Sequence, residues 1–192
     1  MFGYLTQYIY NNFGSKKGLL YTVKFKMQLL SGRFTDLQKI DFNSVKRLVF
    51  VCYGNICRSP FAEYYARAQG LNAISFGLHC KGNKGADPRV IAIAREQGIE
   101  LEDHVTTNIK DYIAEEGDLI VVMEPKHLDD LKAAIGEVKL LTIAPLWKPW
   151  RTPYLHDPYN SNQEFFLKCI STLKESILTM KTKLASNRAV KI

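Results

Sequence analysis

The 192-residue chain has only four cysteines, unevenly spaced, which excludes a disulfide scaffold and offers no structural zinc knuckle. It lacks any uninterrupted apolar run of about 18 residues, so no transmembrane span is expected. The opening MFGYLTQYIYNNFG lacks the basic, apolar and small-residue order of a secretory signal. No GxxxxGK followed by Ser or Thr occurs, which removes a Walker-type phosphate loop. The Cys and His residues form no ligand cluster, so neither a metal nor a cofactor is expected. Internal repeats and low-complexity tracts are also missing. What remains, 46% hydrophobic and 23% charged, is too apolar for wholesale disorder and long enough for one cored domain. A reduced, cytoplasmic α/β protein is the expectation.

The formal charge of +7 is unevenly placed. Residues 1–45 carry six basic and two acidic side chains, and nine of the twenty Phe and Tyr residues. Phe2, Leu5, Ile9 and Phe13 fall at helical spacing, with Asn11, Asn12 and Gly14 to end that helix and Ser31-Gly32 as the next break. The segment 1–46 therefore reads as an extension of short helices. It can pack on the domain, make a weak homo-oligomer contact, or meet a membrane surface, and the sequence leaves these open. The charge and aromatics carry no nucleic-acid recognition motif, and no specific nucleic acid is expected.

From Leu48 the chain alternates strands with helices. LVFVC at 48–52, residues 73–76, DLIVVM at 118–123 and VKLLTI at 138–143 read as strands. Helices are expected after Ser59-Pro60, after Asp87-Pro88 up to Gly98, over KHLDDLKAAIG with Leu128, Leu131 and Ile135 inward, and from about Gln163 to Lys183. This alternation predicts a three-layer α/β fold, a four-stranded parallel sheet covered on both faces. Residues 185–192 read as a tail.

The informative segment is Cys52-Tyr53-Gly54-Asn55-Ile56-Cys57-Arg58-Ser59, between the first strand and the first helix of that pattern. Open α/β sheets bind ligands at this carboxyl edge. Consecutive backbone N–H groups there can curl around an oxyanion, and the helix N-terminus adds partial positive charge. Gly54 and Asn55 tolerate the left-handed conformations of a tight cradle. Arg58 offers two parallel donors to phosphate oxygens. A thiol at Cys52 would face a positive field that favours its thiolate, and Ser59 could hydrogen-bond the sulfur.

VCYGNICRSPFAE at 51–63 resembles the signature of the low-molecular-weight protein tyrosine phosphatase family, in its bacterial form. The likeness continues through SFGL at 75–78, GADPRVIAIAREQGIELEDH at 85–104, DLIVVMEPKHLDDL at 118–131 and HDPYN at 156–160, and covers 47–184. It implies hydrolysis of phosphotyrosine through a cysteinyl-phosphate: Cys52 as nucleophile, Arg58 on the equatorial oxygens, Asp157 as general acid. It further implies that Asn55 braces the loop, Ser59 stabilises the thiolate, and Tyr159 walls the cleft, with Tyr53, Gly54, Ile56 and Cys57 completing the substrate-binding loop. In the family a cysteine placed like Cys57 can form a reversible disulfide with the nucleophile. The implied partner is a tyrosine-phosphorylated protein, such as a bacterial tyrosine autokinase of polysaccharide export.

Three rivals share the fold or the loop. An arsenate reductase resembles the loop but continues Arg-Ser-Gln and needs relay cysteines, whereas Pro60 follows here and Cys80 and Cys169 sit outside the relay region. An arginine-phosphate phosphatase tends to carry threonine where Ile56 stands. A module that merely binds phosphoproteins has no need of Cys52 and Asp157.

Overall fold

A computed structural model describes residues 2–189. Four strands form one parallel sheet in the order β2-β1-β3-β4: β1 Arg47–Cys52, β2 Ala73–Gly77, β3 Asp118–Val122 and β4 Leu141–Ile143. The register sets Cys52 beside Gly77 and Val51 between Phe76 and Val122. Both central strands are buried along nearly their whole length, which is why their sequences are continuous rather than alternating apolar runs.

The described residues form six α-helices: α1 Phe2–Phe13, α2 Lys16–Leu30, α3 Arg58–Ala68, α4 Pro88–Arg95, α5 Lys126–Ile135 and α6 Gln163–Ala189. The chain crosses from β1 to β2 in one direction and from β2 to β3 in the other. Right-handed crossovers therefore put α3 on one face and α4 and α5 on the opposite face. Helix α6 packs against α3 and closes the first face. The reversal at β1 creates a switch point at the end of that strand, where residues 52–59 lie.

Several boundaries differ from the sequence reading. The fourth strand is three residues rather than six: its register with β3 runs over Leu141–Ile143, and ahead of it the Leu140 carbonyl accepts from the Ile120 N–H at 3.0 Å. Helix α4 stops at Arg95, and Gly98, at φ +70°, terminates the turn that follows. Of the three α5 side chains expected to face inward, Leu131 is fully buried and Leu128 and Ile135 are partly covered. Of the tail expected over 185–192, residues 185–189 continue α6, and 190–192 lie outside the described residues.

The segment ahead of β1 is joined to the core. Phe34, Phe42 and Val45 are buried in it, and Phe42 meets Trp147 edge-on at 5.1 Å. Thr142 at the sheet edge donates to the carbonyl of Leu37 at 2.6 Å and accepts from the Trp147 indole at 2.8 Å.

Candidate active site

The loop after β1 closes on the sulfur of Cys52. The backbone N–H of Asn55 reaches Sγ at 3.3 Å, and Ser59 Oγ lies 3.0 Å from it. Asn55 is held at φ +54°, a left-handed conformation that asparagine tolerates better than most residues. Its side chain is fully buried and saturated: Nδ2 donates to Ser59 Oγ at 2.9 Å and to Ser75 Oγ at 2.8 Å, and Oδ1 accepts from the Thr107 N–H at 2.9 Å. The Asn55 carbonyl meets His104 Nε2 at 2.9 Å. Because Asn55 donates into Ser59, the single hydroxyl proton of Ser59 is left for Cys52 Sγ or for the Phe76 carbonyl, 3.2 Å away.

The two loop cysteines occupy different surroundings. Burial, followed by the Asp87 carboxylate, pushes the Cys57 thiol far up, so Cys57 is kept as a thiol. Cys52 instead lies within hydrogen-bond reach of the Asn55 N–H and the Ser59 hydroxyl. Cys169, in α6, is buried in the core, and that burial raises its thiol to about 12.

Arg58 opens α3 yet is 1% exposed. Nη1 donates to the Leu155 carbonyl at 2.9 Å and Nη2 to Asp157 Oδ2 at 2.7 Å, while Nε is buried without a protein partner. An unpartnered guanidinium Nε on a residue that lines a cleft is a donor that suits a phosphate oxygen. Burial works against the charge, but Asp157, the Cys52 sulfur and Glu124 outweigh it, and the cation is held more firmly than in an ordinary arginine. Behind it, Glu124 Oε1 lies 3.9 Å from Nη1 and 3.1 Å from Nε2 of the fully buried His127. The His127 contact is within ion-pair distance but out of line for a hydrogen bond.

Asp157 uses both oxygens. Oδ1 accepts from the Tyr159 N–H at 3.1 Å, which is the turn-starting bond expected of Asp-Pro, and Oδ2 meets Arg58. Arg89 fixes the next residues, donating to the carbonyls of Tyr159 at 2.7 Å and Ser161 at 3.3 Å. It is itself paired with Asp87, the N-cap of α4, whose N–H donates to the Ile56 carbonyl at 2.8 Å. One side-chain pair thus ties the loop after β1 to the loop that carries Asp157.

The loop that carries Asp157 is also gripped by the N-terminal helices. Ser15, the N-cap of α2, places Oγ 3.0 Å from His156 Nε2, and Tyr154 OH lies 2.6 Å from the other ring nitrogen. Tyr21 and Phe25 pack on the Tyr154 ring at 5.7 and 5.4 Å. Lys26 donates to the Arg151 carbonyl at 2.7 Å, and Asn162 donates to Asn11 at 2.7 Å. The corner between α1 and α2 admits only small residues. A Cβ on Gly14, at φ +75°, would come within 2.7 Å of His156 and 2.8 Å of Phe165, and one on Gly18 would lie 1.9 Å from the Phe13 carbonyl. A second cavity of about 350 Å³ lies beside this contact, walled in part by Phe13, Thr22, Tyr154 and His156.

The cleft itself holds about 510 Å³ and is lined by Cys52, Tyr53, Gly54, Ile56, Cys57, Arg58, Asp157 and Tyr159. Tyr53 and Tyr159 are half exposed at its rim, and Tyr53 lies against the His79 ring at 4.6 Å. Asn55 and Ser59 sit beneath the loop, both 0% exposed, and support it rather than line the opening. The sequence reading missed His156 and Asn160, which also line the cleft, and the supports Ser75, His104, Thr107, Arg89 and Glu124. His156 and Asn160 flank the acid within HDPYN, a local signal that could have found them, whereas no local spacing marks the supports, which act across distant parts of the chain. Among the described residues no group of three or more His, Cys, Asp or Glu side chains could hold a metal ion.

Comparison with known proteins gives one consistent result. The family model described as low molecular weight phosphotyrosine protein phosphatase matches residues 47–190. The chain is 33% identical over 138 residues to the low molecular weight protein-tyrosine-phosphatase Wzb of Escherichia coli K12, covering 70% of this chain and 90% of that protein. The crystal structure of the Erwinia amylovora tyrosine phosphatase AmsI superposes with a TM-score of 0.63 at 28% identity, over 72% of this chain and 92% of that one. The arginine phosphatase YwlE of Geobacillus stearothermophilus matches with a TM-score of 0.66 at 22% identity, over 75% and 96%, a likeness of fold alone.

Proposed function

The chain belongs to the low-molecular-weight phosphotyrosine protein phosphatase family, and from that premise we propose how its own residues divide the work of a cysteine-dependent protein tyrosine phosphatase. The observation that carries the assignment of roles is the 2.7 Å contact between Arg58 and Asp157, which sets a phosphate-binding cation and a carboxyl group over the loop that ends β1 at Cys52.

The phosphoryl group enters with its equatorial oxygens on the loop amides and on Arg58, whose bare Nε takes one of them. Cys52 Sγ attacks phosphorus in line as the bond to the tyrosine oxygen breaks. Asp157, which must enter this step protonated as the phosphate takes its place on Arg58, passes its proton to that departing oxygen. The product is tyrosine and a phosphocysteine. Water then attacks phosphorus, Asp157 as the carboxylate takes a proton from that water, and the S–P bond breaks to release orthophosphate. Ser59, 3.0 Å from Sγ, hydrogen-bonds the sulfur as it leaves as thiolate.

Depth and walls favour an aryl phosphate. Cys52 is 2% exposed, while Tyr53 and Tyr159 are half exposed in the lining of the same cleft, which Ile56 shares. A tyrosine ring spans that depth and stacks on the way down; the short arm of phosphoserine leaves phosphorus above the sulfur. The partner we propose is a tyrosine-phosphorylated protein, specifically a bacterial tyrosine autokinase of polysaccharide export. A cytoplasmic setting suits four free cysteines, one of them the nucleophile.

The test is hydrolysis of p-nitrophenyl phosphate by the reduced protein beside Cys52→Ser, with phosphocysteine sought by mass in rapidly quenched wild type. Turnover that vanishes in the variant and a phosphorylated Cys52 are expected. Turnover that survives in Cys52→Ser overturns the mechanism. Higher kcat/KM on phosphoarginine peptides than on phosphotyrosine peptides overturns the substrate class.

A further inference from the structure

The two helices ahead of the catalytic domain dock by one side and leave the other bare. On α2, Gly18, Tyr21, Thr22, Phe25 and Leu29 are buried or partly buried, whereas Leu20, Val23, Met27 and Leu30 are 64%, 53%, 63% and 72% exposed. At 3.6 residues per turn those four fall within an arc of about 80° opposite the docked side. Lys17 and Lys24 run along one edge of the arc, and Lys16 stands in its first turn. Helix α1 carries no charged residue in its twelve, yet Tyr4, Leu5 and Tyr8 are 90%, 59% and 60% exposed. Seven large apolar or aromatic side chains therefore stand in solvent on adjacent helices, which is more than the scattered exposure a monomer tolerates.

Charge identifies what covers them. Residues 1–35 hold four lysines and one arginine and no acidic residue. A second copy docked on the same face would bring Lys16, Lys17 and Lys24 against the same three cations. A surface of anionic headgroups complements them. A helix with an apolar stripe edged by lysines lies in the plane of a bilayer surface, and tyrosine suits the same depth. No helix among the described residues is long and apolar enough to cross a membrane, which leaves surface attachment as the mode.

We propose that the outer face of α1 and α2 is a docking surface for an anionic lipid bilayer, on which the helices lie flat. The proposal is independent of the phosphatase chemistry, because none of these side chains touches the cleft.

The experiment is flotation of the full-length chain with vesicles of phosphatidylcholine alone or mixed with phosphatidylglycerol. Binding to the mixed vesicles is expected, falling with added salt and absent on phosphatidylcholine alone. The variant Lys16→Gln/Lys17→Gln/Lys24→Gln should lower the partition coefficient on the order of a hundredfold, and Leu20→Ser/Met27→Ser/Leu30→Ser about tenfold or more. Both variants should hydrolyse p-nitrophenyl phosphate at the wild-type rate without vesicles, which shows the fold intact. The proposal is overturned if the wild type fails to float with mixed vesicles at low salt, or if the apolar variant binds undiminished. It is overturned too if sedimentation reveals a wild-type dimer that the apolar variant dissociates, for then a second copy covers the face. Retention on heparin without flotation has the same consequence.

Discussion

Ser15 and His156 stand 141 positions apart in the chain, and their side chains meet at 3.0 Å, one residue before the carboxyl group assigned as general acid. The contact makes the first helices part of the support for Asp157. Ser15→Ala should lower kcat about threefold to tenfold, the worth of one hydrogen bond, with KM little changed. It also removes the cap of α2, at a cost of about 1 kcal/mol. Ser15→Thr keeps the hydroxyl and should restore both. Steady-state kinetics beside urea denaturation separates the effects; a loss of stability with unchanged kcat would show that His156 positions nothing.

Asp157→Asn removes the transferable proton. The loss of kcat should be about 10²- to 10⁴-fold on phosphotyrosine and markedly smaller on p-nitrophenyl phosphate, whose leaving group needs less help. Equal losses on the two substrates would assign Asp157 to binding instead.

Asn55 combines a left-handed backbone with three side-chain hydrogen bonds. Asn55→Ala should cost about 2–4 kcal/mol of stability and most of the activity. Asn55→Gly frees the backbone and should recover about 1 kcal/mol of that stability without recovering turnover. Chemical denaturation of the pair measures the backbone share directly, and equal stability of the two would remove it.

Three histidines, His104, His127 and His156, are held below the ordinary histidine value, each chiefly by burial. The unfolded chain then binds more protons than the fold once the pH drops below about 6.5. Stability contributed by the neutral rings is full above that value and is lost as the pH falls toward their depressed folded values. The urea midpoint should decline between pH 7.5 and pH 5.5, and a flat profile would contradict the burial of these rings.

The strand, loop and helix around Cys52 were legible in the sequence because their determinants are contiguous: an apolar run, a glycine and asparagine for the turn, and Ser-Pro opening a helix. Asp157 was legible only through family likeness, since Asp-Pro by itself announces a turn, and the structure has Oδ1 making that turn. The role of Arg89 was not legible. Its partners Asp87, Tyr159 and Ser161 come from two separate segments, and nothing in RVIAIAR marks one arginine as a tie. Lys139 and Leu140 read as strand by composition, but the paired register begins at Leu141, and Leu140 reaches β3 through its carbonyl on the Ile120 N–H.

The family match begins at residue 47, and a biologist trimming this gene would cut there. Yet Arg151, Tyr154, His156, Asn162 and Lys168 each have partners before residue 40. The piece that can be moved between proteins is therefore larger than the piece that sequence comparison outlines. A swap of domains with a relative would have to carry the leading helices along, or rewrite 151–168 to stand without them, and substitutions on either side of that seam are bound to accumulate as matched pairs.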